Sequence, residues 1–192
     1  MGEINQIDVL LMVVSILDRL GIEYVVGGSF ASSARGIPRA TMDIDIVADL
    51  NDDNARSLVQ AVQPDFYADE SAILRSVRIK RHFNIIHIDT AFKVDVFVPR
   101  NKFDRAQLAR RVAEPFGPDQ GSTVYVASAE DIVLAKLRWY LETSRTSERQ
   151  WRDVLGVLQV QAGRLDLSYL KEWALELGLS EELDRALLEA GA

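Results

Sequence analysis

The sequence predicts a mixed α/β (α+β) fold: a small mixed sheet flanked by helices, followed by a short C-terminal helical bundle. Three observations carry this. Short segments such as DIDIV and KVDVF alternate apolar and polar residues with the period of a strand, and they are interleaved with stretches of helical period. The last strand-like run, STVYVAS, ends at Ser128. Beyond it, apolar residues recur only at helical spacing. The chain has 192 residues, 48% of them hydrophobic, enough for one full-sized domain with a small appendage. The expected division is a core over 1–127 and a helical segment over 128–192.

In chain order, residues 5–20 place Ile7, Leu10, Leu11, Val14, Leu17 and Leu20 at helical spacing, and Gly21 stops the run. EYVVGG reads as a short buried strand entering a tight turn. SFASSARG fits one or two helical turns, with Ser29 as N-cap and Gly36 closing it. MDIDIVADL is a strand with Ile44 and Ile46 on one face, Asp43 and Asp45 on the other. Residues 51–62 and 68–79 predict helices. FNIIHIDTAFKVDVFVP predicts two strands around a turn at Asp89-Thr90. KFDRAQLARRVAEPFG is amphipathic. SAED and SERQ read as capping boxes at Ser128 and Ser147, each opening a helix, and two more helices are expected near 167–177 and 180–190.

Composition excludes several classes. No cysteine is present, so neither a disulfide scaffold nor cysteine-ligated zinc is available. A net charge of -7, spread along the chain, disfavours a protein that coats nucleic acid non-specifically. The one dense basic patch, RSVRIKRH from Arg75 to His82, reads either as a solvated face or as a grip on a polyanion. The N-terminal apolar stretch is too short for a membrane span and has no positive leader, so a soluble, cytoplasmic protein without membrane attachment is expected.

Two aspartates inside an apolar strand demand explanation, because aspartate is a poor strand former and an unpaired buried carboxylate costs several kcal/mol. Asp43 and Asp45 project the same way, with backbones about 6–7 Å apart. Asp95 in KVDVF has the same register, facing away from Val94 and Val96. If the two strands are neighbours, three carboxylates share one patch, the oxygen-rich setting that hard cations prefer. The alternative is an ordinary solvated sheet face. Upstream, Gly27 and Gly28 let the backbone approach a ligand closely, and Ser29 opens a helix whose N–H groups attract anions. A phosphate cradle beside a cation site is the chemistry of nucleoside triphosphate binding.

GGS followed thirteen residues later by DID, with a third aspartate in KVDVF, resembles the polymerase-beta-type nucleotidyltransferase superfamily. RATMDID, SAEDIVLAKL and WRDVLGVL further resemble the AbiEii-like toxin nucleotidyltransferases, over about residues 5–160. The resemblance implies the nucleotidyltransferase fold and a magnesium- or manganese-dependent transfer of NMP from an NTP to an acceptor hydroxyl. It implies that Asp43, Asp45 and Asp95 hold the metal, and that Gly27, Gly28 and Ser29 bind the triphosphate. Arg39 and Thr41 stand beside them in supporting roles. It also implies catalytic positions at Lys136, which would contact phosphate, and at Asp153. Read from the residues alone, Lys136 and Asp153 equally suit an ion pair between two helices, and both roles are compatible. The acceptor stays open between an RNA end, a protein hydroxyl and a small molecule, and an antitoxin-like partner is implied. The rival reading is an inactive nucleotide- or partner-binding member of the same fold. A metal-dependent phosphohydrolase fits the GGS turn and the DID spacing less well.

His82 and His87 lack metal-ligand spacing and read as strand or surface residues. Trp139, Trp151 and Trp173 fit core packing.

Overall fold

A computed structural model describes residues 4–38, 43–116 and 121–192. The chain forms two compact units: Met1–Val26 with Thr41–Val126, and Gly27–Ala40 with Ala127–Ala192.

The first unit holds the sheet. Its strands are β1 (Tyr24–Val26), β2 (Asp43–Ala48), β3 (Phe66–Tyr67), β4 (His82–His87), β5 (Lys93–Phe97), β6 (Val112–Phe116) and β7 (Ser122–Val126). They lie in the order β3-β4-β5-β2-β1-β7-β6. The β2–β5 and β1–β7 pairs are parallel and the others antiparallel, so the sheet is mixed. Helices α1 (Gln6–Arg19), α3 (Asp52–Val62), α4 (Glu70–Arg78) and α5 (Lys102–Ala109) complete this unit.

The period-two pattern decides which way the central strands face. Ile44, Ile46, Val94, Val96, Phe83 and Ile85 share one face and are all buried. Asp43, Asp45, Lys93, Asp95, Asn84 and His82 share the other, which stays at least partly open. Each helix brings an apolar side to the core: Val9, Leu10, Val13 and Leu17 from α1, Leu58, Val59 and Val62 from α3. Asn5 caps α1 through a capping box with Asp8, and Gly21 follows the helix with φ +65°.

The second unit is helical: α2 (Gly28–Arg35), α6 (Ala129–Glu142), α7 (Glu148–Val160), α8 (Leu167–Leu177) and α9 (Ser180–Ala190). Gly36 allows α2 and α7 to meet backbone to backbone, since a Cβ there would lie 2.9 Å from the Val157 nitrogen. Gln161 Nε2 donates to the Arg35 carbonyl at 2.8 Å beside that contact. The fully buried Asp131 accepts from the Ser128 hydroxyl at 3.0 Å and from the Tyr169 hydroxyl at 2.7 Å, fastening α8 to the start of α6. Arg145 donates to the buried Glu182 at 2.8 Å, and Trp151 Nε1 to Glu189 at 3.2 Å, fastening α9.

Several local expectations are corrected. The N-cap of α2 is Gly27, not Ser29, which sits inside the first turn. Ser128 caps α6 as expected, but Ser147 makes no side-chain capping bond to α7. The amphipathic stretch from Lys102 splits: the helix ends at Ala109, and residues 112–116 form an outer strand beside β7. Pro115 is tolerated there because an edge strand leaves one row of backbone groups unpaired. Trp139 is 46% exposed and is not core, whereas Trp151 is buried against Tyr140. His87 is buried too, with Nδ1 2.9 Å from the Thr90 hydroxyl.

Candidate active site

In the first unit, β2 and β5 run side by side in register, with Asp45 directly opposite Asp95 and Asp43 opposite Lys93. The carboxylates thus share the open face, as the alternation of DID and VDV requires. Their surroundings differ. The side chain of Asp95 is 13% exposed and that of Asp43 56%. Lys93 stands between them, its Nζ 2.8 Å from Asp95 Oδ2 and 3.8 Å from Asp43 Oδ1. Its hydrogen bond to Asp95 raises the Lys93 pKa above the ordinary lysine value, against partial desolvation, and the charges of Asp95, Asp43 and Asp45 add to the rise.

The donor set fits a hard divalent cation: three carboxylates on one partly open sheet face, with a cationic group already drawn to two of them. The side chains are not gathered into a finished site. Among the described residues, no three His, Cys, Asp or Glu side chains converge as a metal cage. Sequence reasoning missed Lys93; the signal was its place two residues before Asp95, which puts both on one face.

In the second unit, Gly28 has φ +59°, a conformation that favours glycine, and Ser29 follows in the first turn of α2. Lys136 Nζ donates to Ser29 Oγ at 3.2 Å and to Asp153 Oδ2 at 2.7 Å. The Lys136 and Asp153 side chains are 5% and 6% exposed. The ion pair between α6 and α7 is therefore present, and the same ammonium reaches the serine of the GGS turn. The structure brings Ser29, Lys136 and Asp153 together in one unit and Asp43, Asp45 and Asp95 in the other. Arg39 and Thr41 lie outside the described residues. In the basic patch, Arg78 is paired with Asp52 at 2.7 Å, on the exposed side of α4.

Comparison with known proteins fixes the family. The pattern described as nucleotidyl transferase AbiEii toxin, type IV TA system, matches residues 15–180. The chain belongs to the AbiEii family. It is thereby a nucleotidyltransferase, consistent with the polymerase-beta-type resemblance, and the match runs beyond residue 160 into α8 and the start of α9. No curated protein matches the chain. Among solved structures, an antigenic nucleotidyltransferase-like protein from Paracoccidioides brasiliensis aligns with TM-score 0.57 at 17% identity, covering 93% of this chain and 90% of that one. The lincosamide antibiotic adenylyltransferase LnuA, lincomycin-bound, aligns with TM-score 0.50 at 10% identity, covering 83% and 99%. ANT(2")-Ia in complex with adenylyl-2"-tobramycin gives 0.50 at 12%, covering 90% and 96%. At such identities these neighbours establish that the AbiEii chain has the nucleotidyltransferase fold. Among its described residues no helix is long and apolar enough to cross a membrane.

Proposed function

We propose that this AbiEii-family chain transfers a nucleoside monophosphate from an NTP to an acceptor hydroxyl, using magnesium or manganese held by Asp43, Asp45 and Asp95. The observation that carries the reading is the register of β2 and β5, which sets Asp45 against Asp95 and keeps Asp43 on the same open face. The bound cation would supply charge neutralisation on the phosphates. The acceptor oxygen attacks the α-phosphorus, the bond to the bridging oxygen breaks, and pyrophosphate leaves. Asp95, less exposed than Asp43, would take the proton from the acceptor. Gly27 and Gly28 present backbone to phosphate, Ser29 adds its N–H at the start of α2, and Lys136 adds a cation held by Asp153. Positioning and charge neutralisation would supply most of the acceleration.

The work divides between a nucleotidyltransferase core at 1–127 and a helical segment at 128–192 in this proposal. The acceptor is an RNA end, a protein hydroxyl or a small molecule, and an antitoxin is the expected protein partner in the cytoplasm.

Calorimetric titration with each of the four ribonucleoside triphosphates, with and without magnesium, tests this reading. Magnesium-dependent binding that vanishes in Asp43→Ala and Asp45→Ala supports it. Transfer that survives both substitutions overturns it, and no binding of any triphosphate would favour an inactive, partner-binding member of the fold.

A further inference from the structure

We propose that Lys93 is the resident counter-ion of the acidic row, its ammonium standing in the cation position until a divalent ion displaces it. The inference rests on the reading that Asp43, Asp45 and Asp95 hold a divalent ion, and it concerns how tightly they do so. Three features support it. Lys93 pairs in register with Asp43 on β2 and precedes Asp95 by two residues on β5, so strand geometry alone aims it into the row. Its Nζ lies 2.8 Å from Asp95 and 3.8 Å from Asp43, bridging carboxylates from two strands. The Asp45–Asp95 pair also sets two like charges directly across a strand pair, an arrangement that destabilises a sheet unless a cation offsets it.

The consequence is an exchange. Divalent cation binding must break the Lys93–Asp95 contact, so the protein without nucleotide holds its cation weakly, and the charge of the row stays partly offset when none is bound. A triphosphate, itself anionic, gives the displaced ammonium a new place to pair. Lys93 thus competes with the cation for the row and does not ligate it.

Manganese binding, followed through the electron paramagnetic resonance signal of the free ion without nucleotide, tests this in the full chain. Lys93→Met keeps the stem and removes the charge, Lys93→Gln does so with a polar end, and Lys93→Arg keeps the charge. Removing the ammonium should tighten manganese binding roughly tenfold, the scale of one lost repulsion at about 4 Å in a partly screened site. Lys93→Arg should bind like the unmodified chain. If Lys93→Met and Lys93→Gln bind no tighter, Lys93 is not the counter-ion, while manganese binding lost in Asp43→Ala would still uphold the cation reading. If no variant and no unmodified chain takes up manganese, even with nucleotide added, both ideas fall together.

Discussion

Asp45 and Asp95 face each other across the parallel β2–β5 pair, and the ammonium that neutralises Asp95 comes from the residue opposite Asp43. Three acidic side chains and one basic one thereby form a single electrostatic unit on an open sheet face. Its members differ in how much water they keep: Asp95 is largely enclosed and Asp43 largely open.

Asp95→Asn should leave the fold intact, because the side chain lies on the open face while Val94 and Val96 supply the buried one. Nucleotidyl transfer should fall by about 10²-fold or more, the usual scale for removing a group that stabilises developing charge. Transfer of label from the α-phosphate of an NTP, with circular dichroism as the control, checks this. Activity within a few-fold of the unmodified chain would remove Asp95 from the chemistry.

Lys136→Met should cost about 3–5 kcal/mol of stability, because it removes the buried ammonium that pairs with Asp153. Lys136→Met combined with Asp153→Leu removes both charges and should recover most of that loss in urea unfolding. Transfer by the double variant then separates the two roles of the pair. Stable but inactive protein assigns Lys136 to phosphate; recovered activity would make the pair purely structural.

Gly36→Ala should destabilise the helical unit by about 1–3 kcal/mol, since its Cβ would press on the backbone of Ser32 and of Val157, neither of which can rotate away. Gly156→Ala should be milder: its closest contact is 3.3 Å to the Ile37 nitrogen, and the Ile37 side chain can shift. Thermal unfolding of both variants checks the order. Equal melting temperatures would contradict the close approach of α2 and α7.

Desolvation raises the pKa of Asp18 above 3.8, in the last turn of α1 where the helix dipole also disfavours a negative charge. A raised carboxylate pKa means that the folded state binds its proton more tightly than the unfolded state. The carboxylate therefore costs stability above its folded pKa, and the cost disappears as pH falls through that value toward 3.8 and below. Asp18→Asn should be more stable than the unmodified chain at pH 7 and equal to it near pH 3. A stability difference independent of pH would show that the substitution acts through something other than this charge.

Much of the carboxylate patch was legible because a strand's period is two: Ile44, Ile46, Val94 and Val96 had to face the core, which left the aspartates and Lys93 on one side. The C-terminal helices were equally legible from their spacing, and in the structure α8 and α9 end at Gly178 and Gly191, both at φ +70°. Other features were not. β3 has two residues, too few to show a period. β6 contains Pro115, a residue that argues against a strand unless the edge position is known. Ser147 fits a capping pattern by composition, yet its ψ of 85° accompanies no capping bond. Trp139 sits in an apolar run, and only tertiary packing leaves it on the outside of α6. That Lys93 would also stand opposite Asp43 depended on strand order, which one sequence does not state.

The helical unit is discontinuous in the chain, because α2 is made early while α6 and α7 arrive only after the whole sheet has been synthesised. A helix of eight residues has little stability alone, so the Gly27–Gly36 segment cannot settle until its late-made neighbours exist. A prematurely terminated chain could assemble its sheet and its acidic row and still lack an ordered GGS turn. Ordering of the GGS turn in this chain thus waits on the translation of residues that lie well beyond the sheet.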